Sequence, residues 1–181
     1  NKALRDLLNF VPAVGTETVS ARVIGDSGGV FARTMILSAG SREGVRKGQA
    51  VITGAGLIGR VQEVGLRSSR LLLLADLNSR VPVVIESSRV RGVVAGTNGE
   101  TLRLVHLPPD VVAAPGDRIV TSGHGGALPP GIPVGIVAAV GEAGIEVKPF
   151  VDPARLEVVQ VLDYGLDGII EFKAGRGNKV K

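Results

Sequence analysis

The chain has 181 residues, with 21 Lys and Arg against 17 Asp and Glu, a net charge of +4, a hydrophobic fraction of 44% and no cysteine. The lack of cysteine excludes disulfides and thiolate chemistry, and no apolar run approaches the roughly 18 residues of a membrane span. Four Phe, one Tyr and no Trp leave little surface on which single-stranded bases could stack. The chain opens at Asn1 rather than methionine, which reads as a fragment or processed form whose upstream signal or anchor is out of view.

Residues 1–14 carry Leu4, Leu7, Leu8 and Val11 at helical spacing, one apolar stripe closed by Pro12 and Gly15. That stripe reads either as a packed N-terminal helix or as the end of a longer coiled coil, with Leu4, Leu7 and Leu8 as candidate self-association residues. From Thr16 the character changes to short β-rich runs between turn signals. The runs are 18–24, 30–37, 49–53, 57–64, 70–75 and 81–85, then 91–95, 101–107, 118–121, 134–140, 145–150 and 157–162. Residues 165–181, with Lys173, Arg176, Lys179 and Lys181 among glycines, read as a disordered basic tail.

The two sets of runs repeat one another. Ser20-Ala-Arg22-Val23-Ile-Gly25 answers Ser87-Ser-Arg89-Val90-Arg-Gly92, and Gly48-Gln-Ala-Val51-Ile52-Thr53 answers Gly116-Asp-Arg-Ile119-Val120-Thr121. A third block, Ile58-Gly59-Arg60-Val61 to Gly65, answers Val134-Gly135-Ile-Val137 to Gly141. Eleven positions separate Gly65 from Asp76 and Gly141 from Asp152. The main difference in length is His124–Pro130, present only in the second copy. Ordered blocks with indels confined to turns argue for a duplicated module. Six strands per copy predict an all-β chain of two tandem six-stranded barrels, distantly chymotrypsin-like, because closure removes exposed edges. The predicted domains are 15–86 and 87–164; the last strand of each copy could close its own barrel or exchange with its neighbour.

Three motifs suggest chemistry. Gly54-Ala-Gly56-Leu-Ile-Gly59, with Asp76 downstream, fits a dinucleotide fingerprint, but residues 60–70 make a poor helix to face a pyrophosphate. Gly25-Asp-Ser27-Gly28-Gly29 matches the nucleophile segment of a two-barrel serine hydrolase. However, His106 and His124 both follow Ser27, the reverse of the order that protease class uses, so a hairpin loop is preferred. His124, in Ser122-Gly-His-Gly-Gly126, reads as a solvated loop residue, and two histidines without cysteine make a poor metal set. No catalytic, cofactor or metal site is assigned. The serine hydrolase and a basic RNA-binding barrel remain as rival readings.

Gly56-Leu-Ile-Gly59-Arg60-Val61, Leu72–Asp76 running into Ser79-Arg-Val-Pro82-Val83, and Gly116-Asp117-Arg-Ile-Val-Thr121-Ser122-Gly123 through Pro130-Gly131-Ile-Pro133-Val-Gly135-Ile-Val137 resemble the bacterial rod shape-determining MreC family. With Gly92, these residues form the family-like motif, read as structural; Leu4–Leu8 is similar to the end of that family's coiled coil. Ala127-Leu128 departs from the bulkier residue usual before the proline loop. The resemblance implies the periplasmic part of a bitopic inner-membrane protein that scaffolds wall synthesis without catalysis and without a cofactor. It implies as partners an elongation-specific class B penicillin-binding protein, MreD, RodA and, indirectly, MreB, along with self-association and no nucleic acid. Exposed strand edges and apolar patches on the barrels are the expected docking surfaces.

Overall fold

The computed structural model describes residues 16–26, 33–126 and 128–164. The N-terminal stripe with Leu4, Leu7 and Leu8, the Ser27 segment and the basic tail lie outside these residues. The described chain is almost wholly β. Twelve strands run β1 (Glu17–Asp26), β2 (Thr34–Leu37), β3 (Ala50–Thr53), β4 (Gly56–Val64), β5 (Ser69–Leu73), β6 (Arg80–Ile85), β7 (Arg91–Ala95), β8 (Leu102–Val105), β9 (Arg118–Thr121), β10 (Pro133–Gly141), β11 (Gly144–Pro149) and β12 (Val158–Asp163). Each of the twelve predicted runs holds one of them.

Two closed barrels result, with ring orders β1-β12-β3-β4-β5-β2 and β10-β11-β8-β7-β6-β9. Matching β1–β6 to β7–β12 makes the two rings the same, except that the sixth strand of each repeat sits in the other repeat's barrel. β6 pairs with β7 and β9, and β12 pairs with β1 and β3. The barrel boundary therefore departs from the predicted split at 86/87: Arg80–Ile85 belong to the second barrel, Val158–Asp163 to the first. Geometry supplies the reason. The slot for a sixth strand lies three places round the ring from the fifth, so returning to it would mean spanning the barrel's width. The six residues Leu74–Ser79 carry the chain to the neighbour instead.

The exchange is matched by burial. In β3, Val51 points into the first barrel's core while Ala50 and Ile52 pack with the second barrel's core cluster; in β4, Ile58 and Leu57 divide in the same way. Leu162 of β12 joins that second cluster too. Strands buried on both faces lose the polar alternation of a half-exposed strand, which is why these runs read as continuously apolar. Closure also pairs every strand on both sides, so the open strand edges expected as docking surfaces are absent among the described residues.

Glycines hold the repeat together where backbones meet. Gly48 and Gly116 take φ values of 91° and 96°, and their N–H groups donate to the carbonyls of Val61 and Val137, each at 2.9 Å. The residue after each glycine closes the turn with its side chain: Gln49 Oε1 accepts from Arg46 N–H at 2.8 Å, and Asp117 Oδ2 from Ala114 N–H at 2.9 Å.

If β12 closes the first barrel, residues 16–86 alone lack a wall strand and carry β6 without its partners. This fragment should show no cooperative urea transition as a monomer, whereas residues 16–164 should show one. Cooperative unfolding of monomeric 16–86, followed by circular dichroism, would contradict the exchange.

Candidate functional site

The chain crosses between the barrels twice, and each crossing carries, as its third residue, an aspartate that the repeat predicts. Asp76 is fully buried. Its Oδ1 accepts from Asn78 N–H at 2.7 Å and its Oδ2 from Arg33 N–H, at the mouth of β2, at 2.8 Å. Around it, Ser79 N–H donates to the Asp76 carbonyl at 2.9 Å and Asn98 N–H to the Ala75 carbonyl at 2.7 Å. Arg33 Nη2 reaches the Asn98 carbonyl at 2.7 Å. The carboxylate thus ties the entry to β2 to the crossing turn, while Arg33 and the Ala75 carbonyl hold the β7–β8 hairpin of the second barrel beside them. Asp152 repeats the turn, its Oδ1 accepting from Ala154 N–H at 3.0 Å, but on the exposed surface.

The other motif residues hold backbone in place. A Cβ on Gly59 would strike the Leu72 carbonyl, and one on the equivalent Gly135 the Lys148 carbonyl; both glycines let the fourth strand of a barrel lie on the fifth. Gly56, at φ 147°, lies against the Pro133 carbonyl, where the two barrels touch. Thr121, buried, donates through Oγ1 to the Pro129 carbonyl at 2.6 Å and accepts from Ile132 N–H at 2.9 Å, clamping the loop unique to the second repeat. Ser122 N–H donates to the Pro82 carbonyl at 3.1 Å. Gly123 at φ 72° faces the Pro130 ring, and Gly131 at φ 84° follows it. Gly92 makes room for Leu104 and Leu107, Val61 is core, Ser79 is buried in the crossing turn, and Arg60 is half-buried.

Gly54–Gly59 forms the turn into β4 with strand following it, so no helix N-terminus faces a phosphate there. His106 and His124 sit exposed on separate loops, and among the described residues no group of three or more His, Asp or Glu side chains is placed to hold a metal.

What sequence reasoning missed is a cleft of about 610 Å³ beside the crossings. Leu57, Leu74 and Val151 form its apolar floor, Phe150 stands at its side, and Arg33 and Lys148 reach its edge. Phe150, 36% exposed, stacks under the Arg118 guanidinium at 5.4 Å from the ring centroid. The one available signal was an aromatic residue two positions before the second repeat's crossing aspartate, in a chain with four phenylalanines. An apolar depression with charges at its rim is chemically suited to binding an amphipathic surface.

Residues 23–163 match the family model described as rod shape-determining protein MreC, barrel core. The chain belongs to the MreC family. A relative named cell shape-determining protein MreC, from Cereibacter sphaeroides, is 40% identical over 144 residues, covering 80% of this chain and 48% of the relative. The chain thus spans about half the length of such curated MreC relatives. The crystal structure of MreC from Pseudomonas aeruginosa superposes with a TM-score of 0.75 at 28% identity, covering 80% of this chain and 98% of that one. The fold is shared as well with MreC of Helicobacter pylori, described in a complex with the penicillin-binding protein PBP2, at TM-score 0.62 and 18% identity over 81% of this chain and 98% of that one.

The two crossing aspartates differ in burial and should differ in cost. Asp76→Ala removes a fully buried carboxylate and leaves two part-buried N–H groups without their acceptor, and is expected to cost about 2–4 kcal/mol, while Asp152→Ala removes an exposed cap worth about 0.5–1 kcal/mol. Urea denaturation of the two variants checks the ranking; equal midpoints would show that Asp76 is not the tie described.

Proposed function

We propose that this chain is the periplasmic part of a membrane-anchored cell-shape protein. It works as a non-catalytic scaffold by binding and positioning the class B penicillin-binding protein of cell elongation. Membership of the MreC family supports the cell-shape role, and the complex described for the Helicobacter pylori relative supports a penicillin-binding protein as partner. Among the described residues no helix is long and apolar enough to cross a membrane; on this reading an anchor precedes residue 1. MreD, RodA and, indirectly, MreB complete the proposed assembly, and Leu4, Leu7 and Leu8 provide a stripe for self-association.

The observation that carries the reading is the inter-barrel cleft. Its floor is fixed by two barrels that share strands, so a partner that docks there meets a preformed surface and spends little free energy ordering it. Leu57, Leu74 and Val151 form a firm, nearly buried floor, and the exposed ring of Phe150 supplies the apolar surface a partner would cover. A partner segment with an apolar centre and polar flanks of mixed charge complements this floor and an edge that carries Arg33 and Lys148 as well as Glu100 and Asp152.

Phe150→Asp places a charge at the margin of the cleft, at the start of the second crossing, and leaves the Asp76 and Asp152 hydrogen bonds in place. Calorimetric titration of the chain with the periplasmic region of an elongation transpeptidase should show saturable binding with a negative heat-capacity change. The variant should weaken it about tenfold or more. Unchanged affinity would remove the cleft from the interface, and no binding to the unaltered chain would remove the partner.

A further inference from the structure

The end of the first barrel at which the chain enters is built differently from the rest of the surface. Two loops meet there, 38–49 between β2 and β3 and 65–68 between β4 and β5. Ser41 N–H donates to the Gly65 carbonyl at 2.9 Å, Arg42 N–H to the Leu66 carbonyl at 3.1 Å, and Gly65 N–H to the Ser68 carbonyl at 2.8 Å. Gly40 lies so close that a Cβ would come within 2.7 Å of Leu66 and Ser68 backbone atoms. The loops therefore form one welded platform.

The platform presents Leu66 and Arg67 at the apex of a tight turn, and Leu66 is 64% exposed. Arg42, Arg46 and Lys47 are exposed around it. Its single acid, Glu43, is folded back, with Oε2 accepting from Gly40 N–H at 2.7 Å. At the barrel rim Arg46 pairs with Asp163 at 3.0 Å, and Glu17 lies across from Asp163 in the strand register. Arg42, Lys47 and Arg67 remain as the outward cations beside a protruding leucine. A solvated loop end would satisfy the charges, but it gives no account of a large apolar side chain held at the apex by backbone hydrogen bonds.

We propose that this platform rests on an anionic lipid surface, with Leu66 entering the headgroup boundary and Arg42, Lys47 and Arg67 facing lipid phosphates. Lys and Arg beside an anionic bilayer each add attraction, and an inserted apolar side chain adds burial. The orientation rests on the proposed membrane tether: Glu17, where the described chain enters β1, is at this end of the barrel. The platform and the cleft use separate residues.

The test is co-sedimentation of the full chain with phosphatidylcholine vesicles, with and without phosphatidylglycerol. Binding should require phosphatidylglycerol and weaken with salt. It should fall about tenfold in the triple Arg42→Gln, Lys47→Gln, Arg67→Gln variant, and likewise in Leu66→Ser, which leaves every charge in place. All substituted side chains are exposed, and circular dichroism checks that the variants fold. Binding that persists in both variants would assign it to the tail cations and overturn the proposal, as would absence of binding to anionic vesicles. Loss of oligomer mass in light scattering with vesicle binding unchanged would make a second copy the occupant, and would overturn it too. Both variants should keep their affinity for the transpeptidase, so failure here and failure of the scaffold reading are separately visible.

Discussion

Each barrel is closed by a strand from the other repeat, and the rest of the molecule depends on that exchange. Modules of roughly 70 residues bury only about 60% of their unfolded surface and are marginal alone. Here neither module can close without the other, so the entropy of ordering both is offset by one shared set of contacts. The strands that meet at the junction are apolar on both faces, sending Val51 and Ile58 one way and Ile52 and Leu57 the other. Asp76 fixes the crossing because a buried carboxylate is tolerable only where donors meet it, and its donors are Asn78 N–H within the crossing turn and Arg33 N–H of the first barrel.

The proposed binding surfaces follow from this arrangement. Because the barrels share strands, their relative placement is set by covalent connection and backbone pairing as well as by side-chain contact. The cleft beside the crossings is therefore a fixed shape, and Gly56 against Pro133 brings the backbones close enough to form it. Closed rings offer no open edge for strand addition, which leaves faces and loop ends. The cleft and the platform around Leu66 are the two surfaces proposed for binding, built from different residues.

Much of the fold could be read from the residues alone. Alternating apolar runs, turn glycines and the two sets of blocks predicted twelve strands in two six-membered rings, and the matched turns at Gly48 and Gly116 show why the blocks align. The exchange could not be read, because β6 and β12 are equivalent strands in equivalent repeats and nothing local distinguishes one slot from the other. Asp76 stood out by its interval from Gly65, yet the interval alone could not separate a buried structural carboxylate from a ribose ligand; the strand after Gly59 does. The cleft was invisible for a different reason. It is made where Leu57 and Leu74 meet Val151 across the junction, a juxtaposition that exists only once the barrels have packed.

Native-state hydrogen exchange under increasing urea tests the shared-strand account most directly. If the exchanged strands make one cooperative unit, the slowest amides of β3 in the first barrel and β9 in the second should merge onto a single opening free energy with the same urea dependence, equal to that of global unfolding. Two separate isotherms, one barrel opening while the other stays protected, would contradict it.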